Sequence, residues 1–308
     1  MRSDIGDGKS HALQGFPPPF ACPSLSLALA LLCALAPAGC TAALKPLDQG
    51  KGGEGESRGT PVLVRFAACW SAQPLAEDLA AAYALVAPEV SVDIVPTTSG
   101  VAESLVRGGQ ADLAIIEEQP GAEALPPEEA DERKATTPAA LATNAVGVIV
   151  QADSPLDRLS TMELATLFLG RYLDWEELQA GHGRITLVCQ EAGTAARRLF
   201  EERILGGLPT SSAAVVVPHD RGVLEYVAQH PEAIGYLSTA YVDERVKVIA
   251  LDGLLPTAAE VERGRYPLAH ALVLITAPQA PAEALRLAAF AASNKGRQVI
   301  AKRYLASR

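Results

Sequence analysis

Apolar positions along this chain fall into short runs that alternate with stretches at helical spacing. A run over 62–66 reads as a buried strand. From Pro74 onward Leu75, Leu79, Tyr83 and Val86 recur three to four residues apart, which predicts a helix. Pro suits the first helical position, where the N–H it lacks would go unpaired, and Glu77 and Asp78 place negative charge near the positive end of the helix dipole. The alternation continues with a strand at 90–95, a polar turn at 97–100, a helix at 101–106 ended by Gly108 and Gly109, and a strand at 113–116. An acidic, proline-rich stretch at 120–138 reads as a loop. Beyond it come strands at 145–150, 185–188, 213–217, 234–237, 246–251 and 271–275. Helices fall at 161–168, 195–204, 222–229 and 282–304. Strands and helices alternating at these lengths predict an α/β architecture, and no segment repeats internally.

One local arrangement recurs. A strand runs into a turn holding Ser, Thr or Gly, and the turn opens a helix. This happens at Ser71, at Thr97 to Gly100, and at Gly193-Thr194. Each turn presents backbone N–H groups and hydroxyls at a helix start, the local chemistry that binds small anions. In open α/β sheets such turns lie at the carboxyl ends of strands, where ligands bind. Any one of them alone is accounted for by an ordinary helix cap.

Composition narrows the function. The 308 residues allow two domains after an N-terminal segment, and 49% hydrophobic with 20% charged residues is a globular balance. A net charge of −10 argues against nucleic acid as a partner, since phosphate backbones need a basic surface. Of the 5 cysteines, Cys22, Cys33 and Cys40 belong to the N-terminal region. Cys69 and Cys189 remain, without a CxxC pattern. His182, His219, His230 and His270 are scattered with no metal-ligand spacing, so neither a metal nor another cofactor is expected. Ser99 does not sit in a Gly-x-Ser-x-Gly elbow. Glu117 and Glu118 are adjacent on an extended segment and point to opposite sides, so they cannot act together as acid and base. The expectation is a binding protein, not an enzyme.

Residues 25–35 form an apolar run of signal-peptide length, followed by Ala36, Pro37, Ala38, Gly39 and Cys40. The segment resembles a bacterial lipoprotein signal, which implies cleavage before Cys40, lipidation of that cysteine, and residence outside the cytoplasm on a lipid anchor. Pro37 stands where that pattern usually has Leu. Residues 41–60 carry five glycines among mixed charges and read as a flexible tether.

From residue 61 to 308 the chain resembles the phosphate-binding proteins of ABC transporters. The motifs are Gly108-Gly-Gln-Ala-Asp-Leu-Ala114, Phe168-Leu-Gly-Arg-Tyr-Leu-Asp-Trp175, His230-Pro-Glu-Ala-Ile-Gly-Tyr236, and Leu251-Asp-Gly253 with Tyr266-Pro-Leu268. The resemblance implies a two-lobed type II periplasmic-binding-protein fold with a hinge and an interlobe cleft. Lobe one would be 61–142 with 250–308, and lobe two 143–249. It further implies an anion held by Ser71, Thr98, Ser99 and Gly100 from lobe one and by Gly193, Thr194 and Arg197 from lobe two. Closure would bury the ligand, and ABC permease subunits would be the partner. Trp175 and Tyr236 are expected in the core.

The ligand loops depart from that family. Cys69 and Trp70 replace hydroxyl positions, Glu117 and Glu118 stand where the family has Ser and Arg, and Gln190 replaces an Arg. Two carboxylates without a nearby cation repel a dianion, and Trp70 would suit an organic ligand. Phosphate therefore heads a set that includes other oxyanions and other small solutes. The alternative is a tethered sensory or interaction lipoprotein that has lost phosphate binding. A disulfide between Cys69 and Cys189, which flank loops on opposite lobes, would lock the cleft.

Overall fold

The computed structural model describes residues 62–118 and 139–307. The signal segment with Cys40, the tether and the acidic loop lie outside the described residues. In chain order the elements are β1 (Val62–Cys69), α1 (Gln73–Ala84), β2 (Val90–Thr97), α2 (Ser99–Arg107), β3 (Leu113–Glu117), β4 (Ala139–Gln151), β5 (Arg158–Leu159), α3 (Thr161–Phe168), β6 (Thr186–Gln190) and α4 (Ala195–Arg203). They continue with β7 (Val215–Val217), α5 (Asp220–Gln229), β8 (Ala233–Ser238), β9 (Val246–Val248), β10 (Ala250–Leu251), α6 (Ala258–Glu262), β11 (Ala269–Thr276), α7 (Ala282–Ala292), α8 (Asn294–Ile300) and β12 (Leu305–Ala306).

A continuous sheet runs in the order β2-β1-β3-β11-β4-β8-β6-β7. Strand β4 joins its two halves. Residues up to Ala145 pair with β11, and those from Val146 onward pair with β8 and β9. The chain crosses back beside this point, where the Val146 N–H donates to the Leu268 carbonyl at 2.8 Å. In the first half β1, β2 and β3 are parallel, and in the second β6, β7 and β8 are parallel. Three carboxyl ends therefore open toward the junction from each side.

Each half is a sheet covered on both faces, and period-two alternation shows it. In β1, Phe66 and Ala68 enter a core with α1, α7 and α8, while Ala67 faces the opposite core with Ala102 and Val106 of α2. In β6, Leu187 and Cys189 join Phe168 and Phe200 on one side, and Val188 joins Val223 and Val227 of α5 on the other. Trp175 and Tyr236 are buried as expected. Tyr236 stacks on Phe200 with ring centroids 4.0 Å apart, and the Trp175 indole N–H donates to the Glu232 carbonyl. Gly235 of the Ala-Ile-Gly-Tyr motif has a packing reason. A Cβ there would lie 2.7 Å from Val223 Cγ1 and 3.2 Å from the Val188 carbonyl oxygen, so α5 sits this close to β8 only over glycine.

Several expectations differ from the structure. The division between lobes expected at 249/250 falls inside the second core, because Leu251, Tyr266 and Leu268 pack there and the Tyr266 hydroxyl donates to the Val146 carbonyl. The other division, expected at 142/143, lies nearer Ala145/Val146. The helix expected over 282–304 is two helices. Ser293 ends α7 and caps α8, its Oγ accepting from the Gly296 N–H. Val86, counted on the buried face of the first helix, lies past its end and is exposed, because α1 stops at Ala84.

Candidate ligand cleft

The carboxyl ends of five strands converge on one small cavity. From the first half come Cys69, Trp70 and Ser71 after β1, Thr98 and Ser99 after β2, and Glu117 at the end of β3. From the second half come Gln190 at the end of β6 with Gly193 and Thr194 beyond it, and Asp220 after β7. Ser238, ending β8, lies beneath and donates to the Asn144 side-chain oxygen at 2.6 Å. The enclosed space is about 10 Å³, room for one water and not for a larger solute. The lobes are thus closed on each other.

Four helices, α1, α2, α4 and α5, start at this cavity. None of them has a side-chain cap: the positions are Ala72, Thr98, Thr194 and His219. Of the helices that start elsewhere, α3, α6 and α8 each have one, from Ser160, Thr257 and Ser293, and α7, which follows Pro281, has none. A helix start without a cap leaves first-turn N–H groups for another acceptor, and the helix dipole favours a negative one. Gly193, at φ +92°, takes a left-handed conformation that lets the loop before α4 turn inward.

Protein carboxylates already occupy part of this donor set. Glu117, buried, accepts the Ser71 hydroxyl at 2.5 Å on Oε1 and the Ser99 hydroxyl at 2.7 Å on Oε2, and its own N–H donates to Ser99 Oγ. Asp220, 1% exposed, accepts on Oδ1 from the Ser238 N–H at 2.7 Å and from Gln190 Nε2 at 3.0 Å. Burial, reinforced by the Glu117 charge, pushes the Asp220 carboxyl up to about 6 against those two hydrogen bonds. Burial also pushes the Cys69 thiol well up, again with Glu117 adding. His270 Nε2 lies 3.7 Å from Glu117 Oε1, but burial lowers the pKa of this imidazole and favours its neutral form.

The rim is held by contacts between the halves. Trp70 and His219 pack with ring centroids 4.6 Å apart, and the Tyr241 hydroxyl donates to the Trp70 carbonyl; within the first half the Tyr304 hydroxyl donates to the Ser71 carbonyl. Trp70 thus spends one face on a protein neighbour.

Of the residues expected to hold a ligand, Ser71, Thr98, Ser99, Gly193 and Thr194 meet at the cavity. Gly100 and Arg197 do not line it. Gly100 is exposed in the first turn of α2 and accepts the Ser104 hydroxyl on its carbonyl. The Arg197 guanidinium turns back along α4, bonding Glu201 at 2.8 Å through Nε and the Gln190 carbonyl at 3.0 Å through Nη1. Its pairing satisfies the i, i+4 spacing, and no ligand is needed to explain it. Cys69 and Cys189 are both free thiols, buried in different cores, so no disulfide locks the lobes. As expected, Glu117 turns inward and Glu118 outward. Sequence reasoning passed over Asp220. Its signal was the polar pair His219-Asp220 between a strand and a helix, but the helix was expected to start two residues later.

Two α/β halves joined by crossing strands, with strand ends and helix starts facing one cleft, define a type II binding-protein fold. The chain belongs to the PBP superfamily, whose domain model matches residues 55–295. Among curated relatives, the phosphate-binding protein PstS of Bacillus subtilis is 29% identical over 171 residues, covering 55% of this chain and 53% of that protein. Phosphate-binding protein PstS 2 of Streptococcus pneumoniae is 31% identical over 35% of each chain. The chain thus aligns with about half the length, or less, of these relatives. Among solved structures, a Clostridium perfringens protein with bound phosphate, described as a phosphate ABC transporter substrate-binding protein, superposes with a TM-score of 0.71 at 21% identity. That match covers 80% of this chain and all of the other. A phosphate transport receptor from Vibrio cholerae gives 0.59 at 22%, covering 79% and 99%. At these identities the superpositions establish the fold.

Proposed function

We propose that this protein is the solute-binding component of an ABC importer and that its ligand is phosphate or a closely similar oxyanion. The observation that carries the reading is the convergence of four uncapped helix starts on one cleft. The names of the relatives, phosphate-binding proteins of transporters, support the same choice. Binding requires the lobes to part, since the closed cavity is too small. The crossing strands at Ala145/Val146 and Leu268/Ala269 are the natural hinge. Ser71, Thr98, Ser99, Gly193 and Thr194 would meet the ligand, and closure would present a surface to permease subunits. The expected behaviour is saturable binding without turnover.

The location follows from the N-terminal segment. Cys40 would be lipidated and residues 41–60 would tether the binding domain outside the cytoplasm. Among the described residues no helix is long and apolar enough to cross a membrane. Labelling with a fatty-acid analogue that is lost in Cys40→Ala tests the anchor.

Isothermal titration with phosphate tests the ligand, backed by thermal shift. A ligand at a hundred times its Kd stabilises the native state by about 2.7 kcal/mol, so a clear rise in melting temperature is expected. No heat and no shift at millimolar phosphate would overturn the oxyanion reading. A second reading is kept because Glu117 already holds the hydroxyls of Ser71 and Ser99. On that reading the domain is a tethered sensory or interaction module whose partner is another solute or protein. Absence of phosphate binding, with another small solute raising the melting temperature, would favour it.

A further inference from the structure

A second cavity, of about 210 Å³, lies beside the junction of the two halves and shares no lining residue with the cleft. Alternate residues of β4 point to opposite faces. Asn144 turns to Ser238 beneath the cleft, and Thr143 and Ala145 turn into this cavity. The other walls are the turn between α8 and β12, the start of α6, and Thr239 just past β8. Tyr304 stands between the two spaces, lining this cavity and donating its hydroxyl to the Ser71 carbonyl. A cavity of about 150 Å³ is enough to take a benzene ring, so this one has room for an organic molecule of roughly eight to ten non-hydrogen atoms.

The charge of the lining is the reverse of the chain as a whole. The protein carries −10, yet two cations, Lys302 and Arg303, line this cavity and no carboxylate does. Arg303 is fixed in place. Its Nε donates to Asp78 Oδ2 at 3.1 Å and its Nη1 to the Ala240 carbonyl at 2.9 Å. The Nη2 edge is bonded to nothing among the described residues, and a guanidinium held in this way is pre-organised to receive a carboxylate. Asp78 offsets one of the two positive charges. Lys302 has no ion pair among the described residues, so one positive charge is left over. Opposite these cations the wall is apolar, with Ala145, Pro256, Val261 and Leu305. An inorganic oxyanion would answer the charge but leave that apolar wall and most of the volume unfilled. A neutral hydrocarbon would fill the volume and desolvate the cations without pairing them.

We propose that this cavity is a second binding site, distinct from the cleft, and that it takes a small organic monocarboxylate. The carboxylate meets Lys302 and the free edge of Arg303, and a short hydrocarbon body lies on Pro256, Val261 and Leu305. The charge left over after Asp78 matches a single negative charge.

The test is an NMR titration of the whole protein with hexanoate and, separately, with hexanamide, which has the same shape and no charge. Hexanoate should saturate one site with a Kd on the order of 1 mM, and hexanamide should bind about fivefold or more weakly. Lys302→Glu should weaken hexanoate by about fivefold or more and leave hexanamide within about twofold. Ala258→Phe, which fills the cavity from the first residue of α6, should abolish saturation by both. Lack of saturation by hexanoate in the wild-type protein overturns the site. Equal affinity for hexanoate and hexanamide overturns the carboxylate class. Hexanoate affinity that neither substitution changes places the binding elsewhere and overturns the proposal as well. Lys302 and Ala258 are both exposed, so folding is not at stake in either variant, and should one of them fail to fold, the other and the wild-type comparison decide. None of these outcomes depends on whether the cleft binds phosphate.

Discussion

Replacing Asp220 by Asn should change the stability of the unliganded protein in a pH-dependent way whose sign is fixed by the structure. The side chains are isosteric, and Asn Oδ1 can still accept from the Ser238 N–H and Gln190 Nε2. What disappears is a buried charge opposite Glu117. In the folded state the Asp220 carboxyl titrates near 6, against 3.8 for an unburied carboxyl. The folded state therefore binds this proton more tightly than the unfolded state. Its stabilising contribution is fully present below the unfolded value and is lost as pH rises through the folded one. A difference of about two units at 1.36 kcal/mol each makes the loss on the order of 3 kcal/mol above pH 7. Asn carries no such dependence. The difference between variant and wild type should be small at pH 4 and should grow to as much as about 3 kcal/mol in favour of the variant by pH 7.5. Urea unfolding at half-unit pH steps measures it, and taking the difference cancels every other titrating group. Asp220→Ala is the control. It removes the charge but orphans two buried donors, each costing about 1–3 kcal/mol, so it should destabilise at pH 4. A pH-independent difference between Asn variant and wild type, or an Asn variant weaker than wild type at pH 8, would refute the reasoning.

Gly235→Ala should cost about 1–3 kcal/mol by pressing a methyl into Val223, and Val223→Ala in the same chain should recover part of the loss in chemical unfolding. Arg197→Ala should lower stability by about 1–2 kcal/mol through loss of the Glu201 pair and the Gln190 carbonyl bond, while phosphate affinity shifts less than threefold; a loss of affinity of tenfold or more would return Arg197 to the ligand site. Peptide mapping after alkylation should find Cys69 and Cys189 unmodified in the folded protein and both modified after denaturation without reductant; protection that survives denaturation would mean a disulfide after all.

The scaffold was legible because its signals are repeated. Each strand of the sheet carries its own apolar run, and each motif that resembles the phosphate-binding family answers a packing need. Tyr236 stacks on Phe200, Trp175 anchors to Glu232, and Gly235 lets α5 approach β8. Such needs stay the same whatever the ligand is. The split of the last helix was hidden because Ser293 and Gly296 sit within an otherwise helical pattern; a Cβ at 296 would lie 2.3 Å from the carbonyl oxygens of Phe290 and Ala291, so the close turn from α7 into α8 is open only to glycine there. The lobe boundary was missed for a different reason. Leu251, Tyr266 and Leu268 look like core residues of either half, and periodicity carries no information on which core receives them.

The site was legible only where a residue acts through its backbone position. Gly193, Thr194, Thr98 and Ser99 were found because a turn that opens a helix is a local pattern. Arg197 and Asp220 could not be sorted this way, because their roles depend on partners far off in sequence or on a side-chain direction. Arg197 had two partners in reach, a ligand across the cleft and Glu201 one turn along its own helix, and the nearer one took it. Asp220 became a cleft residue because β7 ends beside β6 and delivers it to Gln190, 30 residues earlier. The two exchanges belong together physically. With a guanidinium at 190, a carboxylate at 220 would form an ion pair and stay ionised. With Gln190 it keeps two hydrogen bonds but gains no counter-charge, so burial and Glu117 raise its proton affinity. The departure at 190, seen from sequence alone as a lost phosphate contact, thus acts through its neighbour: it leaves a buried carboxylate at 220 that is hydrogen-bonded but has no counter-charge.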